Sequence, residues 1–210
     1  HNSCIAFHPP AEDMDLWEEL GAEGWNAETV MPLIERLETN RDRSGEGHGT
    51  SGPVHLMDVP AEDPLGVALL DACEQAGIPR ARFNDFETVV NGANWFQVNR
   101  QDDGTRASSS VSYLHPNFER ENLHVLTGMH VMRVLFDEEQ RATGVEYIDN
   151  AFDRSSRMHA RREVILSAGA IDSPKLLMLS GIGPADHLRE VGIDVRVDSP
   201  GVGSNLQDHP

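Results

Sequence analysis

The stretch from Arg162 to Pro184, REVILSAGAIDSPKLLMLSGIGP, decides how the rest of the chain reads. It opens on a short apolar run, Val164-Ile165-Leu166, bounded by Glu163 and by small residues, a pattern that predicts a buried strand rather than a helix. Ser167-Ala168-Gly169-Ala170 then turns the chain, and its small side chains allow backbone to approach backbone, or a ligand, closely. Ser173 followed by Pro174 predicts a helix start, a capping hydroxyl with proline at the first helical position. Leu176, Leu177 and Leu179 supply its apolar stripe and Gly181 its stop. A strand, a small-residue turn and a helix N-terminus can together hold an anionic cofactor group, although many such units merely pack.

Composition sets the frame for that unit. The chain has 210 residues, 39% of them hydrophobic and 25% charged, an ordinary globular balance sufficient for one large domain or parts of two. Thirty-five acidic against 17 basic residues give a formal charge of -18, which repels phosphate backbones and argues against nucleic acid as a partner. The same charge weakly favours a cationic substrate. No apolar run approaches the roughly 18 residues of a spanning helix, so no membrane partner is expected and a soluble, intracellular protein is the default reading. Cys4 and Cys73 lie far apart without CxxC spacing, and no other pattern has metal-ligand spacing, so neither a disulfide framework nor a metal site is expected. The sequence starts at His1 and stops at Pro210 in a loop-like string, which reads as an internal piece of a longer protein.

Upstream, Ile5-Ala6-Phe7 is a short apolar run broken by His8-Pro9-Pro10. Residues 12 to 20 read as an acidic helix with Met14, Leu16, Trp17 and Leu20 on its inner side. Asn26 caps a second helix carrying Val30, Leu33, Ile34 and Leu37, in which Pro32 predicts a kink or a late start. Arg41 to Pro53, RDRSGEGHGTSGP, is a polar loop of a length suited to a lid or a subunit contact; His48 within it and His55 after it read as surface histidines. Asp63-Pro64 starts a helix closed at Gly77. Thr88 to Asn99 reads as extended chain broken at Gly92, Asp103-Gly104 as a turn, and Arg106 to Pro116 as a short polar helix packed through Tyr113 and Leu114. Strands are expected over Leu123 to Thr127, His130 to Phe136 and Gly144 to Ile148, with a turn over Asp137 to Arg141. A short helix over Ala185 to Val191 and a strand over Asp194 to Val197 follow. GVGSNL, from Gly201, lacks the third glycine and the following helix of a dinucleotide fingerprint. Ser3, Asp208 and His209 offer hydrolase chemistry in composition, but no G-x-S-x-G elbow surrounds a serine.

The order G-A-x-x-S-P-x-L-L-x-x-S-G-I-G from Gly169 to Gly183 resembles the second signature of the glucose/methanol/choline (GMC) oxidoreductases, flavoproteins that oxidise alcohols with FAD. Other segments are similar to the same family: RASSSVSYLHP to its R-x-S-x-x-x-x-Y-L-x-P, LHVLTGMHVMRVLFD to its strand pair beside the adenine of FAD, and GVGSNLQDH to its G-V-G-x-N-L-x-D-H. HNSCIAF at the start resembles the choline-oxidising branch, where the histidine is covalently joined to the flavin and the serine lies in the active site.

The resemblance implies a mixed α/β (α+β) chain, part of a two-domain FAD-binding fold. That fold pairs an FAD/NAD(P)-binding-like domain with part of an antiparallel-sheet substrate domain. It implies flavin-proximal loops and helices over residues 1–85, substrate-domain chain over 86–116 and flavin-domain chain over 117–210. Removing a hydroxyl proton and a hydride from an alcohol requires a redox cofactor, since no side chain accepts a hydride. The resemblance supplies FAD, joined covalently through His1, and makes Ser3 the catalytic residue that hydrogen-bonds the substrate hydroxyl. It places Asn2, Cys4, Val131, Ala168, Gly169 and Ala170 at the cofactor, Val131 through its backbone at the adenine edge. The implied partners are choline as the small-molecule alcohol, oxygen as acceptor and a second copy of the full-length protein. A different alcohol or acceptor on the same fold, and a non-catalytic folding or subunit-contact piece, are the alternatives. The family's GxGxxG and its catalytic His with a partnering His or Asn match no segment here, and neither His187 nor His209 stands in their place. The 210 residues alone are therefore expected neither to retain FAD tightly nor to oxidise choline, and a piece made alone is expected to show unpaired edges and apolar faces.

Overall fold

The computed structural model describes residues 4–45, 47–61, 63–84 and 91–208. The chain forms two compact units, His1–Leu123 and His124–Pro210.

The first unit begins with helix α1, Ala11–Glu19, and helix α2, Ala27–Leu37. Of the apolar residues expected on the inner side of α1, only Met14 is buried; Leu16, Trp17 and Leu20 are exposed. Asn26 caps α2 as expected, its Oδ1 accepting from the Thr29 N–H at 2.8 Å. Pro32 lies inside α2 and does not restart it; its missing N–H leaves one carbonyl of the preceding turn without a helical partner. Replacing Asn26 by alanine is expected to cost about 1 kcal/mol, seen as a small drop in Tm of the full-length protein.

Strand β1, Glu38–Asn40, follows α2 directly and pairs in parallel with β2, Val54–Asp58, which pairs antiparallel with β3, Gln97–Asn99. The connection between β1 and β2 is the Gly-rich loop, and it is packed: the Asn40 N–H donates to the Gly49 carbonyl and the Gly52 N–H to the Glu38 carbonyl, each at 2.8 Å. Helix α3, Pro64–Gln75, starts where Asp63 and Pro64 predict, with the Asp63 carboxylate accepting from the Leu65 N–H, and ends before Gly77 in a left-handed conformation. The extended reading of residues 88–99 survives at β3; residues 88–90 lie outside the described residues. The short polar helix spans Ser110–Leu114 as a wide turn followed by a tight one, His115–Asn117.

The second unit carries an antiparallel meander of β4, Met129–Phe136, β5, Ala142–Asp149, and β6, Arg154–His159, in that order. The turn over Asp137 to Arg141 forms as expected, with the Arg141 N–H on the Asp137 carboxylate at 2.8 Å. Two expectations fail. Residues 123–127 form no strand, and the third strand is instead Arg154–His159, RSSRMH, whose polar side chains conceal it because this edge strand is largely exposed. Val164–Leu166 has no sheet partner among the described residues and Ile165 is 76% exposed, so the buried strand is not formed within this unit.

Helix α4, Gly169–Leu179, starts four residues before the predicted Ser173 and carries Pro174 inside it. Gly181, at φ +86°, ends it as expected. Beyond it lie a two-stranded parallel pair, β7, Ile182–Gly183, and β8, Val197–Asp198, and helix α5, Ala185–Glu190, whose Leu188 is fully buried. The helix over 185–191 forms one residue shorter than predicted, whereas the strand expected over 194–197 is assigned only from Val197. Among the described residues no helix is long and apolar enough to cross a membrane.

Candidate functional site

In the second unit the turn before α4 meets the start of β4. The Ser173 hydroxyl accepts from the Ala168 N–H at 3.0 Å, so the residue predicted as a helix cap acts from inside the helix, and the helix starts earlier than the Ser-Pro pair implies. Ala168, Gly169 and Ala170 are exposed. Beside them a cavity of about 300 Å³ is lined by Met129, His130, Val131, Ala168, Asp172 and Lys175, among others. Val131 and Ala168 thus face one space; Gly169 and Ala170 follow on the first turn of α4 without lining it.

β4 is an edge strand of its sheet. Its open side is engaged by the protein itself where the Val134 N–H donates to the Ser180 hydroxyl at 2.9 Å. Nearer its start the register shifts between Val131 and Arg133, a bulge that breaks the ladder where the cavity lies. An edge strand, a small-residue helix start and a Lys175 ammonium, 3.5 Å from the Asp172 carboxylate, meet at this cavity, groups that could hold a nucleotide portion of FAD. A larger cavity, about 690 Å³, lies at the far end of β4 between Arg133–Phe136 and Gly192–Arg196 and contains none of the predicted residues.

In the first unit the segment that follows HNS is laid against β3. The Asn99 N–H donates to the Cys4 carbonyl at 2.8 Å and the Ala6 N–H to the Gln97 carbonyl at 2.9 Å. Asn84 clamps the same segment, donating to the Ala6 carbonyl and accepting from the His8 N–H. Cys4 holds φ +66°, a left-handed backbone unusual for its type. Cys4 and Cys73 are free thiols. The predicted residues His1, Asn2 and Ser3 lie outside the described residues, as does His209.

Behind this segment is a buried polar cluster that sequence spacing did not reveal. The side chains of His8, Glu38 and His48 are 8%, 2% and 10% exposed, with His8 Nε2 3.4 Å from Glu38 Oε2 and His48 Nδ1 3.1 Å from Glu38 Oε1. The surface position expected for His48 is therefore wrong: the tightly packed glycine loop folds it inward onto Glu38. His55 is likewise half-buried, on β2.

Asn40 Nδ2 donates to Glu38 Oε1 at 2.5 Å. Arg43, 7% exposed, pairs with Asp58 at 2.9 Å. Burial, then His48 and Arg43, lower the His8 pKa to about 4. Burial raises that of Glu38 against the opposing hydrogen bonds of Asn40 and His48. Both shifts disfavour charge, so His8 meets Glu38 at neutral pH as an uncharged imidazole, not as an ion pair.

A family model described as GMC oxidoreductase matches residues 2–210. The chain belongs to the GMC oxidoreductases. It is 65% identical, over its whole length, to the choline oxidase of Arthrobacter globiformis, of which it covers 39%. It is 41% identical to the human mitochondrial choline dehydrogenase over 99% of the chain and 34% of that relative. An FAD-dependent oxidoreductase from Chaetomium thermophilum superposes with a TM-score of 0.91 at 29% identity, over 99% of this chain and 37% of that one. A formate oxidase structure gives 0.82 at 27% identity, again over 99% of this chain and 36% of its own. This GMC chain thus spans well under half the length of these relatives, and the mixed helix and sheet arrangement is that of their shared fold.

Proposed function

We propose that this chain is part of an FAD-dependent alcohol oxidase of the cytoplasm that converts choline through betaine aldehyde to glycine betaine, with oxygen reduced to hydrogen peroxide. The observation that carries the reading is the 65% identity along the whole chain to a choline oxidase. When bound, FAD supplies the hydride acceptor that no side chain can provide.

The chain's own residues hold and orient. Val131 offers backbone to the adenine edge, and Ala168, Gly169 and Ala170 offer a close-approach surface. His1 tethers the flavin, while Asn2 and Cys4 line it through backbone groups. The Ser3 hydroxyl hydrogen-bonds the substrate oxygen as its proton leaves, which orients the reacting carbon. The clamp of Asn84 and β3 on residues 4–8 supports this reading, because it anchors the segment next to His1 and Ser3 on a sheet. The Gly-rich loop serves as structural cover rather than as a free lid, and the full-length protein pairs as a homodimer.

Oxygen uptake by the full-length protein with choline tests the activity. Stoichiometric peroxide supports the oxidase, choline oxidation only with an added dye points to a dehydrogenase, and flavin incorporation without any choline oxidation sinks both. Replacing Ser3 by alanine is expected to lower kcat/KM by about 10²-fold, and flavin remaining with acid-precipitated protein tests the His1 link.

A further inference from the structure

We propose that His8, Glu38 and His48 form a binding site for one divalent transition-metal ion, zinc by its donor set. The three residues each offer a ligand atom, and these atoms lie within 4.8 Å of one another. Two imidazole nitrogens and a carboxylate are the donor set of three-ligand zinc sites, which leave one position for water. Around an ion with bonds of about 2.0–2.1 Å, neighbouring tetrahedral ligand atoms are roughly 3.4 Å apart. His8 Nε2 stands 3.4 Å from Glu38 Oε2 and His48 Nδ1 3.1 Å from Glu38 Oε1, distances of that size to the two different oxygens of one carboxylate, which turns to present one of them or binds through both. The two histidine nitrogens, on rings whose centroids stand 6.0 Å apart, draw together to complete the set.

The surroundings suit a cation. Asn40 fixes one Glu38 oxygen from behind, the orienting contact that metal-ligating carboxylates carry. The Arg43 guanidinium nearby pairs with Asp58, which offsets part of its positive charge. Access runs through a cavity of about 470 Å³ that His8 and Glu38 line together with Ile5, Ala6, Ile34 and Leu56. The three ligands come from the segment after HNS, from β1 and from the glycine loop, so an ion would tie together parts of the unit that meet only in the fold.

The test is calorimetric titration of the tag-free, chelator-treated full-length protein with zinc chloride, with magnesium chloride as a control. Wild type is expected to bind one zinc per chain and no magnesium, and His8→Ala and His48→Ala are expected to weaken zinc binding at least about 10-fold. The proposal is overturned if wild type binds no zinc at this stoichiometry. It is equally overturned if both variants, folded by circular dichroism, bind zinc as wild type does. Should a variant fail to fold, cobalt loading of wild type decides: intense visible bands of a four- or five-coordinate ion support the site, and only weak octahedral bands refute it.

Discussion

Gln97→Ala is expected to destabilise the protein by about 3–5 kcal/mol, a large effect for a polar residue in a three-residue strand. Gln97 is fully buried. Its Nε2 donates to Asp58 Oδ1 at 2.7 Å and to Asn40 Oδ1 at 3.3 Å, and its Oε1 accepts from Asn40 and Asn84, each at 3.2 Å. Truncation removes bonds from Asn40, Asn84 and Asp58, each of which keeps another partner in Glu38, Ala6 and Arg43. It also opens a cavity at a fully buried position, so lost hydrogen bonds and lost packing add. Asn84 also clamps the segment after HNS, so flavin retention is expected to fall with stability. Gln97→Glu separates hydrogen bonding from volume. It keeps the shape and places a carboxylate beside Asp58, raising the folded-state pKa of the new group. The ionisation part of its penalty is then absent below the unfolded carboxyl pKa of about 4.3 and grows as pH rises towards the folded value. It comes on top of a pH-independent loss, because a protonated carboxyl has one donor where the amide uses two. Denaturant unfolding across that range checks both: the Gln97→Glu deficit should shrink on acidification, while that of Gln97→Ala should not. A deficit below about 1 kcal/mol for Gln97→Ala would remove the network from the account of stability.

Gly49→Ala is expected to cost about 3 kcal/mol or more, through backbone overlap rather than through backbone conformation. A Cβ at this position would collide with the Glu35 carbonyl and stand 2.5 Å from the Glu38 carbonyl oxygen. Both belong to the end of α2 and the start of β1, which cannot yield as a flexible side chain would. The loop must lift, and His48, the preceding residue, leaves Glu38 with it. Gly201→Ala is the control: its Cβ would meet nothing within 4 Å, so a change within about 0.5 kcal/mol is expected. Equal Tm values for the two variants would contradict the packing described for the loop.

Much of the site's organisation was readable locally, because its causes are local. Asn26 and Asp63 cap helices through their own side chains. Gly77 and Gly181 stop them by adopting positive φ. The string from Gly169 to Gly183 carries the family likeness residue by residue. Local rules failed where a distant partner decides the outcome. Val164–Leu166 looks like a buried strand, yet a strand exists only where a neighbour pairs with it. RSSRMH carries no apolar pattern that marks a strand, yet it is one because β5 offers a ladder. Ser173 looks like an N-cap, but its hydroxyl binds back to the Ala168 N–H and so leaves the helix free to begin earlier.

By itself the sequence determined the family, the alternation of helices and short strands, and the two elements that face the cavity at Val131 and Ala168. Only the tertiary structure decided the interior of the first unit. Histidine, glutamate, asparagine and glutamine have no periodicity that marks them for burial, and the spacing of residues 8, 38, 48 and 97 matches no ligand motif. What brings them together is chain geometry: β1 and β2 run parallel across a glycine loop with no room for a Cβ, and β3 lays the first segment over them. Once enclosed, their polar atoms must satisfy one another, because an unpaired donor or acceptor away from water costs more than any local preference can return.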